Sequence, residues 1–511
     1  MIKVILLVLF FGVMVGVGIY CRRNATDVNG FVLGGRSVGP WLTAFAYGTS
    51  YFSAVIFIGY AGQFGWKYGI ASTWIGIGNA LVGSLLAWVI LGRRTRIMTQ
   101  HLNSATMPDF FGKRFSSKSL KIGASVITFI FLIPYTASLY NGLSRLFEMA
   151  FGIPYIWCII AMSVLTGIYV IAGGYMATAI NDFIQGLIMI VGIIAVIAAV
   201  LASKGGFMEA LNGLAAVTDE TVSSAPGAFN SFFGPDPLNL LGVVILTSLG
   251  TWGLPQMVQK FYAIKSEKHI RKGTIISTAF AFIVAGGCYF LGGFGRLFDV
   301  DVATLGFDAI IPQMLSGLPE ILIAIVVILV LSASMSTLSS LVIASSSTLT
   351  IDLLKGNIVK KMSQKKEVFI IRIFIVVFIL ISALIAIYQV YSKDDSVKFI
   401  AQLMGVSWGA LAGAFLAPFL YGLYWKKTTK IACWVSFIFG AGIMLLNLFA
   451  RPIFPVILQS PINCGAFAML AGLVIVPLVS LFTKKPDKTL VEESFACYEK
   501  KVPAAQKNSL D

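Results

Sequence analysis

A chain of 511 residues in which 58% are hydrophobic and only 12% charged, with a mean hydropathy of +0.88, is not built for water; soluble domains carry about 25% charged residues. Lipid is the solvent that lets apolar side chains face outward, and 50 glycines and 17 prolines suit membrane helices that pack closely and sometimes break. The scattered Cys21, Cys158, Cys288, Cys433, Cys464 and Cys497 read as buried apolar thiols, and His101 and His269 both fall in basic loops. Metal ligation and imidazole catalysis have little to work with, so neither an enzyme nor an organic cofactor is expected.

Thirteen apolar segments follow in chain order: 3–20, 41–65, 71–92, 122–144, 154–173, 179–203, 238–258, 273–295, 319–348, 369–391, 399–423, 431–450 and 463–483. Each has about the length that crosses the hydrocarbon as a helix. The first is read as a retained helix rather than a signal peptide, because Lys3 is the only charge before it, Arg22 and Arg23 follow it, and no small-residue cleavage site is present. Counted over alternate loops, 30 of the 38 Lys and Arg fall on one side, with residues 260–272 as one of its loops, and 8 on the other. This positive-inside asymmetry supports thirteen crossings, an N-terminus outside and a C-terminus in the cytoplasm. It also assigns the net charge of +16 to the membrane face rather than to nucleic acid. The outer loop 204–237 is expected to carry short helices, and the polar tail 484–511 is expected to be mobile.

Two segments carry helix-opposing residues at mid-depth. The second reads Tyr47-Gly48-Thr49-Ser50-Tyr51-Phe52-Ser53, and the seventh reads Gly250-Thr251-Trp252-Gly253-Leu254-Pro255. They are five segments apart and therefore cross in opposite directions, as an inverted repeat of five helices plus five would require. Broken helices there would offer free carbonyls and amides to an ion or solute; two kinked, closely packed helices are the plainer alternative. The ninth segment places Ser332, Ser334, Ser336, Thr337, Ser339 and Ser340 within nine residues, with Ser336 and Ser340 one turn apart. Neutral hydroxyls suit a sodium ion, but serines also bond back to their own helix. Asp182, near the start of the sixth segment, is either a functional intramembrane carboxylate or an interfacial helix cap. Gly405-Val406-Ser407-Trp408-Gly409 matches a nucleophile elbow, which the lack of a histidine within any span excludes. Gly12/Gly16 and Gly409/Gly413 read as packing pairs.

Several stretches together resemble the sodium:solute symporters, and among them the sodium/proline symporter pattern most. These are Leu33-Gly34-Gly35-Arg36-Ser37, Met107-Pro108-Asp109-Phe110-Phe111 with Lys113-Arg114-Phe115, Gly173-Gly174-Tyr175 leading to Asn181-Asp182, and Met335-Ser336-Thr337-Leu338-Ser339. The resemblance implies an all-α membrane protein with a leucine-transporter-type repeat, 41–203 and 238–423, plus one extra N-terminal and two extra C-terminal helices in a single transmembrane domain, 1–483. It implies a sodium site at the carbonyls of Thr49, Phe52 and Ala333 and the hydroxyls of Ser336 and Thr337. It implies a second sodium site, found in some members, at Asp182, Ser336, Ser339 and Ser340. Ser50, Tyr51, Ser53, Tyr135, Thr251 and Trp252 match the solute-lining region. Proline symporters carry an Asp where this chain has Tyr51 and a Trp where it has Val55, and lining aromatics are replaced by Thr247 and Thr251. With no Arg or Lys read in mid-span, the expected solute is a zwitterion or a neutral molecule, such as proline or another small organic solute. The expected activity is sodium-coupled symport by alternating access in the plasma membrane, by a chain that works as a monomer with solute, sodium and lipid as its partners. A proton-coupled or facilitative carrier, a channel and a non-transporting solute receptor are the alternatives.

Overall fold

A computed structural model describes residues 2–220, 222–355, 358–359, 362–391 and 400–499. Among these the backbone is helical, with three isolated β-bridges and no strand. Lys360, Lys361, Lys393, Lys398, Lys500, Lys501 and Lys507, residue 399 at the head of the eleventh segment, and the end of the tail lie outside the described residues. Nine helical runs among those described are long and apolar enough to cross a membrane, or ten if the bent pair Pro237–Gly253 and Pro255–Ala263 counts as one span; Ile5–Cys21 is a shorter apolar helix. Two runs each hold parts of two predicted segments. Val55–His101 joins the end of the second to the whole third, and Tyr155–Ser203 joins the fifth to the sixth.

Tyr155–Ser203 is not one straight helix, because Gly174 adopts φ 56° and ψ −150° within it. A side chain disfavours that conformation, and a Cβ at Gly174 would lie 2.9 Å from the Phe31 carbonyl oxygen. Gly174→Ala is therefore expected to cost about 2 kcal/mol, read as a lower melting temperature in detergent. Elsewhere capping follows the sequence: Thr106, Ser117, Asp236 and Thr429 each accept a backbone N–H in the first turn of the helix they precede.

The two breaks have the same geometry. Helix Pro40–Tyr51 ends at Phe52 (φ −83°, ψ 123°), and helix Pro237–Gly253 ends at Leu254 (φ −83°, ψ 121°), after which the chain turns by 47° into Pro255–Ala263. Each break thus frees the carbonyls of a last helical turn in the protein interior.

Small residues set the packing around the helix Ile400–Tyr424. A Cβ at Gly409 would lie 2.8 Å from Gly465 Cα, and one at Gly413 would lie 2.9 Å from Ala468 Cβ, so this pair is a packing contact. The Gly12/Gly16 pair is not: Cβ atoms there would meet nothing within 4 Å, and Gly18 makes the close approach instead, against Tyr169. The loop 204–237 carries the short helix Phe207–Ala215.

The tail departs from expectation where it is described. Lys488–Phe495 is a helix capped by Asp487, and its apolar residues dock on the basic loops. Phe495 lies 4.8 Å under the Arg114 guanidinium, the Tyr498 hydroxyl bonds the Arg94 carbonyl at 3.1 Å, and His101 Nε2 lies 2.8 Å from the Glu493 carbonyl. Val491, Phe495 and Tyr498 stand at i, i+4 and i+7, an apolar stripe that outweighs the polar composition around it.

Candidate ion and solute sites at the helix breaks

The first break and the serine-rich helix Glu320–Ser347 meet at five oxygens. Ser336 Oγ sits 3.2 Å from the Thr49 carbonyl oxygen and 3.0 Å from that of Ala333. Thr337 Oγ1 sits 3.1 Å from Thr49, 3.2 Å from Phe52 and 3.0 Å from Ala333, again at the carbonyl oxygens. All five residues are buried. Two hydroxyls supply two protons, while three carbonyls and two hydroxyls supply many more lone pairs, so the cluster is rich in acceptors and poor in donors. Such a set suits a hard cation that takes oxygen ligands. Ser334, Ser346, Ser347 and Thr350 bond back to carbonyls four residues earlier, as Thr337 also does to Ala333, but Thr337 and Ser336 reach the Thr49 carbonyl as well. Both readings of the serine stripe are therefore present, and Ser336 and Thr337 carry both.

The second candidate set is brought together through a residue assigned to a loop by charge counting. Lys260 lies on the helix Pro255–Ala263 and is only 2% exposed. Its Nζ is 2.9 Å from Ser340 Oγ and 3.8 Å from Asp182 Oδ2. Lys260, counted with the loop 260–272, is thus a buried helical residue three positions before the end of the bent pair, and the expectation that no Arg or Lys lies at mid-span is not touched by it. Because the break restarts the helix at Pro255, Lys260 falls on its second turn, inside the protein. Asp182 is no interfacial cap either, being fully buried in the helix beyond Gly174. Ser339 bonds the Ser336 carbonyl, and Ser340 bonds that carbonyl and Ser50 Oγ at 2.7 Å.

The predicted solute-lining residues divide. The Tyr51 hydroxyl, Ser53 Oγ and the Tyr135 hydroxyl are buried and lack a hydrogen bond of good geometry, Tyr51 lying beside Tyr289 and Thr247 and Tyr135 beside Ser53 and Trp408. The Tyr51 and Tyr135 rings both pack on Trp408, with centroids 5.7 Å and 5.9 Å away, and the indole N–H of Trp408 lies beside the Tyr135 hydroxyl. Tyr51, Ser53, Tyr135 and Trp408 thus form one buried polar cluster whose hydroxyls and N–H face one another rather than backbone carbonyls. Thr251 and Trp252 instead bond the carbonyls of Gly83 and Val82, fixing the second break to the neighbouring helix. Ser50 is tied to Ala46 and Ser340. A cavity of about 10 Å³ lies between Tyr51 and Thr251, so the helices are closed on each other there.

These features agree with a match to known proteins. The sequence model described as "Sodium:solute symporter family" matches residues 31–440. The chain belongs to this family. Over 492 residues it is 28% identical to the osmoregulated proline transporter OpuE of Bacillus subtilis, covering 95% of this chain and 96% of that one. It is also 28% identical to sodium/proline symporter 2 of Staphylococcus saprophyticus, covering 96% and 94% respectively. The structure resembles that of a Na+-coupled sialic acid symporter in a substrate-bound outward-open state, with a TM-score of 0.77, 17% identity and coverage of 95% and 98%. It also resembles Mhp1, a nucleobase-cation-symport-1 transporter, with a TM-score of 0.51, 13% identity and coverage of 91% and 97%. The fold is thus of the leucine-transporter type, and the protein is a multi-pass, sodium-coupled symporter of a small solute rather than an enzyme.

In this symporter Trp408 is the member of the buried Tyr51–Tyr135 cluster that sequence reasoning missed. It sat inside the elbow-like Gly405–Gly409 run, whose serine bonds the Phe131 carbonyl and whose Gly409 packs on Gly465. Trp408→Ala is expected to raise the solute concentration for half-maximal uptake at least tenfold, whereas Trp408→Phe, which keeps an aromatic ring and loses only the N–H, costs less. A concentration series of uptake in proteoliposomes measures both.

Proposed function

We propose that the symporter moves a zwitterionic or neutral small solute, an amino acid such as proline being the first candidate, with sodium bound at Thr49, Phe52, Ala333, Ser336 and Thr337. The observation that carries this is the convergence of five buried oxygens on the break of the helix ending at Tyr51. That same break carries Tyr51 and Ser53 toward Tyr135 and Trp408. Sodium joining the two elements shapes the solute site, and solute binding permits closure on one side and opening on the other. The proline transporters among its relatives support an amino acid, and the absence of charged groups among the lining residues fits a zwitterion better than an anion.

The topology belongs to the same reading: thirteen crossings, repeats 41–203 and 238–423, N-terminus outside and C-terminus cytoplasmic in the plasma membrane, active as a monomer. At 100 mV one inward sodium supplies about 2.3 kcal/mol, and a tenfold gradient adds about 1.4 kcal/mol, enough for roughly 500-fold accumulation.

A thermal-shift screen of the purified protein against amino acids, sugars and organic acids, in sodium or in choline chloride, tests the solute class. Stabilisation by a zwitterionic or neutral solute in sodium alone is the expected result; stabilisation by anionic solutes only would reject it.

A further inference from the structure

Asp182 and Ser340 carry two of the ligand oxygens in the second candidate cation site, and both face Lys260. The ammonium is 2.9 Å from Ser340 Oγ, 3.8 Å from Asp182 Oδ2 and 5.1 Å from the centre of the Tyr175 ring. All four side chains are buried, and neither Asp182 oxygen accepts a hydrogen bond. We propose that Lys260 is a tethered cation holding the position a second sodium ion would take, so that this symporter couples to a single sodium.

Three physical arguments converge on it. A buried carboxylate needs a cation beside it, since an uncompensated charge in the interior is strongly unfavourable. A cation on the same chain reaches that carboxylate at a far higher effective concentration than sodium from solution. A second positive charge on the same carboxylate would meet the first across a few ångströms of low-dielectric interior, so ammonium and sodium exclude each other. The placement also has a consequence for the cycle. Lys260 rides on the helix that follows the second break, Ser340 on the serine-rich helix, and Ser340 Oγ bonds Ser50 on the first broken helix. The tethered charge therefore links both broken helices to the Asp182 helix, where a second ion would otherwise do so.

The inference rests on the second set of oxygens being competent to hold sodium once Lys260 is gone, and the test separates it from the first site. Binding of radioactive sodium to the purified full chain is measured by equilibrium dialysis for wild type, Lys260→Met, Lys260→Gln, Lys260→Met with Asp182→Asn, and Thr337→Ala. Wild type is expected to hold about one sodium per chain, both single Lys260 variants about two, and the double variant about one again. Both single variants should also gain a larger sodium-dependent rise in melting temperature than wild type, because sodium then compensates Asp182. A wild type that binds two ions, or Lys260→Met and Lys260→Gln that both still bind one, would overturn the proposal. Thr337→Ala reports on the other reading alone: if it leaves wild-type sodium binding untouched, the five-oxygen site is wrong, whereas the role of Lys260 is judged by the count in its own variants.

Discussion

Thr337→Ala is expected to raise the sodium concentration for half-maximal uptake by ten- to a hundredfold. Thr337 Oγ1 is the atom on which the cluster converges, within 3.2 Å of three carbonyl oxygens that belong to two different helices. Contacts between a polar group and a charge are worth about 1.5–3 kcal/mol, and 1.4 kcal/mol is tenfold in affinity. Alanine removes the oxygen and leaves the carbonyls facing one another with nothing to balance them. Thr337→Ser keeps the hydroxyl and should stay within a few-fold of wild type, which separates a lost ligand from lost packing. Ser336→Ala should act in the same direction with a smaller effect, since Ser336 Oγ contacts two carbonyls rather than three. Initial rates of uptake against sodium concentration, in proteoliposomes with ionic strength held by choline, give all three values.

Gly65→Val should remove folded protein from the membrane altogether. A Cβ at Gly65 would lie 2.0 Å from the Gly292 carbonyl oxygen, and one at Gly292 would lie 2.1 Å from that of Ala61. The two backbones thus touch with no side chain between them, and neither can retreat without opening the seam between the run Val55–His101 and the helix Lys268–Gly292. Overpacking of an ordinary core costs about 1–3 kcal/mol, and a clash with backbone on both sides exceeds that. The same seam supplies its own control, because a Cβ at Gly286 would meet nothing within 4 Å, so Gly286→Ala should express and melt like wild type. Fluorescence-detected size exclusion of detergent extracts distinguishes the two variants.

The features legible in the sequence were those that oppose helix where apolar length demands it. Gly48 and the hydroxyl residues after it, and Gly250, Gly253 and Pro255, announced two breaks, and the structure puts them at Phe52 and Leu254 with matching dihedral angles. The serine stripe was legible only as a choice between an ion site and back-bonding, because one-dimensional spacing cannot show that Ser336 and Thr337 reach Thr49 in addition to their own helix while Ser346 and Ser347 bond back to Val342 and Ile343. Lys260 was misplaced because loop counting treats every lysine near a span's end as solvent-facing, and only the bend at Leu254 turns it inward. Moving it from the basic set leaves the asymmetry intact, so the count gave no warning. Trp408 was hidden inside a motif whose chemistry does not apply, and Tyr498 inside a tail whose composition is polar although its spacing is not.

We propose that a sodium gradient drives solute through a site completed at the first helix break. The most direct test is uptake into proteoliposomes of the solute selected by the thermal-shift screen, under an inward sodium gradient or an equal choline gradient with the potential clamped. Accumulation above the external concentration with sodium, and only equilibration or less with choline, is the predicted result. Equal accumulation in both would exclude sodium coupling.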